Sequence, residues 1–258
     1  MALRNIENAL PISQERPKKL AKLSKQPEIG LNDENNPVAV AESTVEYVAS
    51  ENLKPFSDPE SSVQLIVVMV KAMKNPRSAL CKTSIMTCSD IFTAYGEKLL
   101  EGPHLKSMDD LLLQLLMKAS QDKKFVCEEA EKALNTMVNS VARLPLLRKL
   151  QSYVRHSNPR VRAKAAVSTS NCVSKMEVNE MEEFGMILLA QMAADQLSDK
   201  LPEAREAARS MVNSLFEKFT WNEEEDEEGS KQEAWKKFCE KNVTGLNAQA
   251  MIKIVASQ

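Results

Sequence analysis

Along most of this 258-residue chain, apolar side chains recur every three or four positions, which is the spacing of one face of an α-helix. Prolines and possible capping residues separate the successive apolar runs. The pattern predicts a succession of helices, at residues 38–53, 60–75, 78–95, 107–120, 124–141, 144–156, 160–176, 179–198 and 202–219, with two short ones at about 233–241 and 246–256. The fold class that we predict is therefore all-α.

One stretch, SVQLIVVMV at residues 62–70, is ambiguous, because valine and isoleucine are also typical of a buried β-strand. Its continuation into KAMK makes the run long for a strand and favours a buried helix. Composition points the same way, since Gly is scarce, at 6 residues, and a β-rich protein needs many tight turns. We expect a helix here.

Four of the predicted helices share a short pattern, in which an apolar or small residue is followed by Cys or Arg, two variable positions, and Ser or Ala. The copies LCKTS, VCEEA, VRAKA and AREAA start at residues 80, 126, 161 and 204, so they are 46, 35 and 43 residues apart. The mean spacing of about 41 residues matches HEAT and armadillo repeats, which are about 40–47 residues long. The pattern therefore predicts repeated helix pairs.

This spacing has a physical cause, because the first and last positions of the pattern lie on one helix face, and the small last residue lets the paired helix approach closely. Pro76, Pro159 and Pro202 stand before or at the start of such a helix, where proline fixes φ and gives up an amide that has no helical partner. One pair cannot bury its own apolar face, so pairs must stack. We predict an α-solenoid of HEAT-like helix pairs, an armadillo-type fold, with the turns inside the pairs along one edge.

Four segments of the chain differ in composition. Residues 1–37 are polar, contain four prolines and include the basic run RPKKLAKLSKQPE, which predicts a disordered or loosely attached arm. Residues 38–220 form the predicted helical domain. The acidic run EEEDEE within 221–232 predicts a solvated loop, because its carboxylates repel one another; a segment that competes for a basic surface is the alternative. Residues 233–258 are expected to close the domain with two short helices.

Several function classes are excluded by what the sequence lacks. It has no glycine-rich phosphate motif, no GxSxG and no HExxH, and with two His residues we expect no enzyme, no metal site and no cofactor. No apolar window is long enough to cross a membrane, and the N-terminus has no secretory apolar region, so we expect a cytoplasmic protein with reduced thiols. The net charge of −2 gives no global field for nucleic acid.

Sulfur-containing side chains are predicted to fill the core. Cys81 and Cys88 are seven residues apart and share a helix face, which favours packing over redox chemistry. The same interpretation applies to the methionines at helical spacing, namely Met69, Met73, Met86, Met117, Met137, Met186 and Met192.

The part of the chain from about residue 60 to 176 resembles TOG domains, above all those of the CLASP N-terminal and TOG-array (crescerin) type. MKNPRSALCKTSIMTCSDIFTAYGEKL is similar to their second repeat, with an apolar helix, a short turn, Arg77-Ser78 and a helix that ends near Gly96. LLLQLLMKASQDKKFVCEEAEKALNTMV and LQSYVRHSNPRVRAKAAVSTSNCV are similar to the two repeats that follow. TOG domains usually carry Trp in their first edge turn, whereas KPFSDPE offers only Phe56 there.

TOG domains bind αβ-tubulin through the turns along one edge. The resemblance therefore implies tubulin or microtubules as the partner, a cytoskeletal location, and partner contacts from Lys74, Arg77, Lys123, Lys124, Arg160, Arg162, Lys200 and Arg205. The residues themselves agree on the chemistry, because four successive turns that each carry two basic side chains would present a positive stripe. Such a stripe suits an acidic protein surface and would mainly speed association.

Other interpretations of these residues and of the function stay open. Arg162 and Arg205 hold a repeat position at which Arg often serves structure by binding helix ends or acidic neighbours. Lys123, Lys124 and Lys200 are alternatively plain solvated side chains. The alternative function is a HEAT-type scaffold or adaptor that binds a protein partner on its concave face. A third, nucleic-acid binding, is disfavoured by the net acidity and by the lack of aromatic residues among the basic turns.

Overall fold

The computed structural model describes residues 59–100, 105–220 and 230–257. In these ranges the chain contains no strand, so the all-α prediction is confirmed and SVQLIVVMV is helical. The described α-helices are α1 (Pro59–Met73), α2 (Ser78–Tyr95), α3 (Leu105–Ala119), α4 (Lys124–Ser140), α5 (Arg143–Tyr153), α6 (Pro159–Val173), α7 (Val178–Phe184), α8 (Met186–Leu197), α9 (Pro202–Lys218), α10 (Lys231–Asn242) and α11 (Gly245–Ala256). The predicted arm at 1–37, the helix predicted at 38–53, Phe56 and the acidic run lie outside the described residues.

The described helices form antiparallel pairs that stack in two layers. The pairs are α1–α2, α3–α4, α5–α6, α8–α9 and α10–α11, and α7 is a short extra helix before the fourth pair. The second helices pack side by side in the order α2, α4, α6, α9 and α11, while α1 packs on α3 and α8 on α10 in the other layer. This is the predicted stack of HEAT-like pairs.

The residues that set the predicted repeat are those that make the close contacts between helices. All eight first and last positions of the four copies are buried, at most 7% exposed: Leu80, Ser84, Val126, Ala130, Val161, Ala165, Ala204 and Ala208. Between α6 and α9 the contact is made largely of alanines, with Ala163 and Ala166 against Ala204 and Ala207. Small side chains there allow the two backbones to come close, which is why the spacing of small residues predicts the stack.

The predicted helix at 179–198 is two helices in the structure. Gly185 has φ of 107°, a left-handed conformation that favours glycine, and it divides α7 from α8. The start of α7 is fixed by a capping box, in which Glu177 and Glu180 exchange side-chain and backbone hydrogen bonds. The apolar periodicity runs through Gly185 without interruption, so periodicity alone did not reveal the break.

Gly96 follows α2 at a point where no larger residue fits. A Cβ atom built at Gly96 would lie 2.1 Å from the carbonyl oxygen of Ser140, at the end of α4. The glycine near which the second predicted repeat ends is therefore a packing requirement between neighbouring pairs.

The last helix pair is attached through an aromatic cluster. Trp235 of α10 is 1% exposed and lies 5.7 Å from Phe216 and 5.3 Å from Phe219, measured between ring centroids. Phe238 stacks on the same indole at 5.4 Å. Aromatic rings at these distances contribute more than their buried area alone, so Trp235 joins α10 to the end of α9.

The prediction for the cysteines is confirmed, whereas that for the methionines is partly wrong. Cys81 and Cys88 are buried and unpaired, and burial raises the pKa of the Cys88 thiol to about 12. Met86 and Met117 are 48% and 44% exposed, because the helix faces on which they lie have no covering neighbour among the described helices. The thiol of Cys88 therefore stays protonated in the core, and two of the methionines lie on the surface.

Candidate protein-binding edge

Five turns, one inside each helix pair, lie along one edge of the stack, because each pair is antiparallel and the second helices pack side by side in chain order. We call this surface the turn edge. Its first to fifth turns are residues 74–77, 120–123, 154–158, 198–201 and 243–244. The predicted candidates all lie in the first four turns or in the first turn of the helix that follows.

The first and second turns are linked by a side-chain contact. Lys123 Nζ donates a hydrogen bond to Ser78 Oγ over 3.0 Å, from the end of the second turn to the start of α2. Within the first turn, Asn75 Oδ1 accepts a hydrogen bond from the backbone N–H of Arg77 at 2.9 Å, which fixes the short loop before α2. Lys74 and Arg77 are both exposed on this loop.

The second and third turns are linked in the same way. The guanidinium of Arg160 lies 2.6 Å from Asp122 Oδ1, and the same nitrogen is 3.5 Å from the carbonyl oxygen of Ser120. Asn158 caps α6 by accepting a hydrogen bond from the N–H of Arg160. The side chains of Arg160 and Asp122 are 57% and 89% exposed, so this pair is solvated and contributes little to folding.

Arg162 crosses from the third repeat to the fourth turn and is largely enclosed. Its Nε lies 2.5 Å from Asp199 Oδ2, and its Nη1 donates a hydrogen bond to the carbonyl oxygen of His156 at 2.8 Å. The side chains of Arg162 and Asp199 are 19% and 4% exposed. Burial by itself would raise the pKa of Asp199, but hydrogen bonds from Arg162 and from the N–H of Leu201 outweigh it and lower the pKa.

Arg205, in the first turn of α9, also contacts the fourth turn. Its guanidinium donates hydrogen bonds to the carbonyl oxygens of Asp199 at 2.7 Å and Lys200 at 3.0 Å. These are turn carbonyls that no helical amide reaches, so Arg205 holds the fourth turn closed. Arg162 and Arg205 therefore both have the structural role that their repeat position suggested.

The other candidates lie on the surface of the molecule. Lys74, Arg77, Lys123, Lys124, Arg160 and Lys200 are exposed. Lys124 is 87% exposed at its side chain, with Glu128 one helical turn away at 3.8 Å. The turn edge therefore divides into six exposed basic residues and two arginines that build the fourth turn.

Three features of the turn edge were missed by sequence reasoning. Asp199 organises the fourth turn, but its sequence context does not distinguish it from Asp122 of the second turn, whose carboxylate is solvated. The fifth turn, Val243–Thr244, has no basic residue and no proline, which were the marks used for the other turns. Phe125 and Leu246, which follow the second and fifth turns, are 46% and 86% exposed, so an aromatic group does accompany one of the basic turns.

Residues of α4, α6 and α9 also form a surface depression, which we call the groove. It has a volume of about 630 Å³ and is lined by Glu128, Glu131, Lys132, Leu134, Asn135, Val138, Lys164, Val167, Ser168, Asn171 and Glu203. Lys164 Nζ lies 2.7 Å from Glu131 and 2.5 Å from Glu203, which joins the three helices. Burial would lower the pKa of Lys164, but these two carboxylates outweigh it and raise the pKa. Both polar and apolar side chains therefore line the groove, and the charge of Lys164 is paired within it.

None of the helices in the described ranges combines the length and apolar character needed to span a bilayer.

Residues 58–238 match the family described as CLASP N terminal. A mouse protein, TOG array regulator of axonemal microtubules protein 1, is 26% identical over 148 residues, which is 56% of this chain and 8% of that protein. The chain therefore corresponds to a small part of the length of this relative.

Solved TOG domains have a similar fold. The structure of a crescerin TOG domain, from work on how its TOG array regulates microtubules in the primary cilium, has a TM-score of 0.61 at 14% identity, over 85% of this chain and 83% of that one. A second domain, from work on TOG–tubulin binding specificity in microtubule dynamics and mitotic spindle formation, has a TM-score of 0.56 at 12% identity, over 87% and 78%.

Proposed function

Because the chain belongs to the CLASP N-terminal family of TOG domains, we propose that it is a non-enzymatic module that binds αβ-tubulin, free or in microtubules, through the turn edge. TOG domains as a family bind tubulin and generally act as scaffolds. In this chain, the contacts with tubulin come from Lys74, Arg77, Lys123, Lys124, Arg160 and Lys200. The protein is located at the cytoskeleton.

The observation that carries this proposal is that exposed basic residues recur at four successive turns, and that side-chain contacts link these turns to one another. Lys123 reaches the first repeat, Arg160 reaches the second turn, and Arg162 reaches the fourth. Turns that are linked in this way lose little conformational entropy when they meet an acidic protein surface. Charges placed in this way raise the association rate and fix the orientation of the complex.

Arg162 and Arg205 have a different part in this proposal from the one that the resemblance implied. Their guanidinium groups are committed to Asp199 and to the turn carbonyls, so they present little charge to a partner. We assign them to the support of the fourth turn, where they hold Lys200 at the surface.

The test is charge reversal of two exposed residues on neighbouring turns, Arg77→Glu with Lys123→Glu. Cosedimentation of the variant with microtubules and its binding to free tubulin are expected to fall by at least tenfold, because two attractions become repulsions. The matched control is Lys175→Glu with Lys253→Glu, two exposed lysines away from the turn edge that give the same change of net charge.

Equal loss in both double variants would mean that only net charge matters and would remove the turn edge from the proposal. Unchanged binding in the first variant, with an intact fold by circular dichroism, would contradict the proposal itself.

A second candidate function, a protein adaptor, is favoured by the groove on α4, α6 and α9. An extended peptide with alternating charges would fit its paired carboxylates and lysines. Hydrogen exchange with a captured partner separates the two functions: protection of α4 and α6 indicates the adaptor, and protection of the first four turns indicates the tubulin-binding edge.

A further inference from the structure

We propose that Phe125 is the apolar anchor of the turn edge, and that its ring becomes buried against the tubulin surface that the neighbouring lysines attract. This inference rests on the proposed function, because it names a further contact residue of the same edge.

Six large apolar side chains are exposed in the described part of the chain, and they are not evenly spread: Val67, Met86, Met117, Phe125, Ile187 and Leu246. Met117 lies three residues before the second turn and Phe125 two residues after it, so both lie within one helical turn of it. By contrast Met86 is eight residues beyond the start of α2, about 12 Å along the helix. The second turn is therefore the most apolar as well as a strongly basic part of the edge.

Phe125 is the aromatic member of this exposed set, and its position is well fixed. It occupies the second position of α4, directly after Lys123 and Lys124. Lys123, the residue before the helix, is held to Ser78 of the neighbouring repeat, and the N–H of Val126 is bonded to the carbonyl oxygen of Lys123. The ring is thus carried on a hydrogen-bonded helical backbone, and it is 46% exposed.

This environment is what a binding hot spot requires. Large aromatic side chains that become buried in the centre of an interface contribute much of its affinity, and surrounding polar residues exclude water from them. Phe has two side-chain torsions, so fixing its ring costs little entropy. The exposed Lys123 and Lys124, which precede it in sequence, and the solvated pair of Asp122 and Arg160 belong to the same part of the edge and supply polar surroundings.

An anchor and an attracting charge have different kinetic effects. Loss of an apolar contact buried in the complex accelerates dissociation at any ionic strength, whereas loss of a peripheral charge slows association and does so most at low salt. The two kinds of residue on the second turn can therefore be separated in one binding experiment.

The experiment compares Phe125→Ala with Met86→Ala in the full chain, by the kinetics of binding to immobilised tubulin at two salt concentrations. Met86 is 48% exposed but lies away from the turn edge, so it controls for the loss of a half-exposed apolar side chain. We expect Phe125→Ala to weaken binding about tenfold or more, with faster dissociation at both salt concentrations and an unchanged melting temperature. Met86→Ala is expected to bind as the wild type does.

The outcomes separate this inference from the proposed function. If the wild type binds tubulin and Phe125→Ala binds with the affinity of Met86→Ala, Phe125 is not an anchor and the proposed function stands. If Phe125→Ala changes only the association rate at low salt, its effect is electrostatic and the anchor role is wrong. If the wild type does not bind tubulin, the proposed function fails and this inference fails with it.

Discussion

The second and fourth turns of the edge carry similar residues and use them in opposite ways. In the second turn Asp122 and Lys123 are exposed, as is Lys124 at the start of the helix that follows. In the fourth turn, Asp199 is 4% exposed at its side chain and receives Arg162 from a neighbouring repeat. Burial decides the difference, because a charge that is removed from water must be paired, whereas an exposed one is available to a partner. Basic residues at one edge therefore do not form a single functional class.

The largest expected effect is that of Asp199→Ala on stability. Removing this carboxylate leaves the mostly buried guanidinium of Arg162 without its ion pair, and we expect the free energy of unfolding to fall by about 3 kcal/mol. Urea denaturation monitored by circular dichroism measures it. Asp122→Ala is the matched control, since it also loses a turn aspartate paired with an arginine, and it should cost less than about 0.5 kcal/mol because that pair is solvated. If Asp199→Ala and Asp122→Ala lowered the free energy of unfolding equally, burial would not distinguish the two turns.

A smaller effect is expected for Arg162→Ala, because the Asp199 carboxylate that is left without its ion pair keeps the hydrogen bond from the N–H of Leu201. The substitution leaves Asp199 and the carbonyl of His156 with fewer hydrogen bonds, and we expect a loss of about 2 kcal/mol. Arg160→Ala, two residues earlier in the same helix, is the control. It should leave stability within about 0.5 kcal/mol and weaken tubulin binding instead. The reverse pattern would mean that the two arginines have been assigned the wrong way round.

Acidification should weaken the fourth turn selectively. The pKa of Asp199 is lower in the folded chain than the ordinary aspartate value of about 3.9, so the folded state gains stability from its ionised form above that value. This contribution is lost as the pH falls below about 4 and through the folded-state pKa. Comparing urea midpoints at pH 6 and pH 3, the wild type should lose more stability than Asp199→Asn. Parallel losses in the two proteins would show that Asp199 does not contribute.

The smallest effect on stability, with a clear effect on binding, is expected for Lys124→Glu. This side chain is 87% exposed, so unfolding should change by less than about 0.5 kcal/mol. Association with tubulin should slow about threefold to tenfold at low salt, and the difference should shrink as salt rises. Lys132→Glu is the control on the same helix, away from the turn and 70% exposed. A change that persists at high salt would exclude a purely electrostatic role.

The fold was largely readable from the sequence because helix pairing depends on local spacing. Apolar residues at helical intervals and a small residue four positions later predict which face each second helix buries, and all of those positions are buried. The break at Gly185 was not predicted, because it depends on one positive φ angle that does not disturb the apolar periodicity. The fifth turn lies between the two short helices predicted at about 233–241 and 246–256, but it was not assigned to the turn edge, because it carries neither charge nor proline.

By itself the sequence determined the helices, their pairing and the placing of basic residues at the turns, since these follow from intervals along the chain. Only the tertiary structure decided which of these residues face solvent. Arg160 and Arg162 are two positions apart, so on an α-helix they project in nearly opposite directions. One reaches a solvated aspartate and the other an enclosed one. Enclosure depends on the neighbouring repeat, about 40 residues away in sequence, and no local pattern records it.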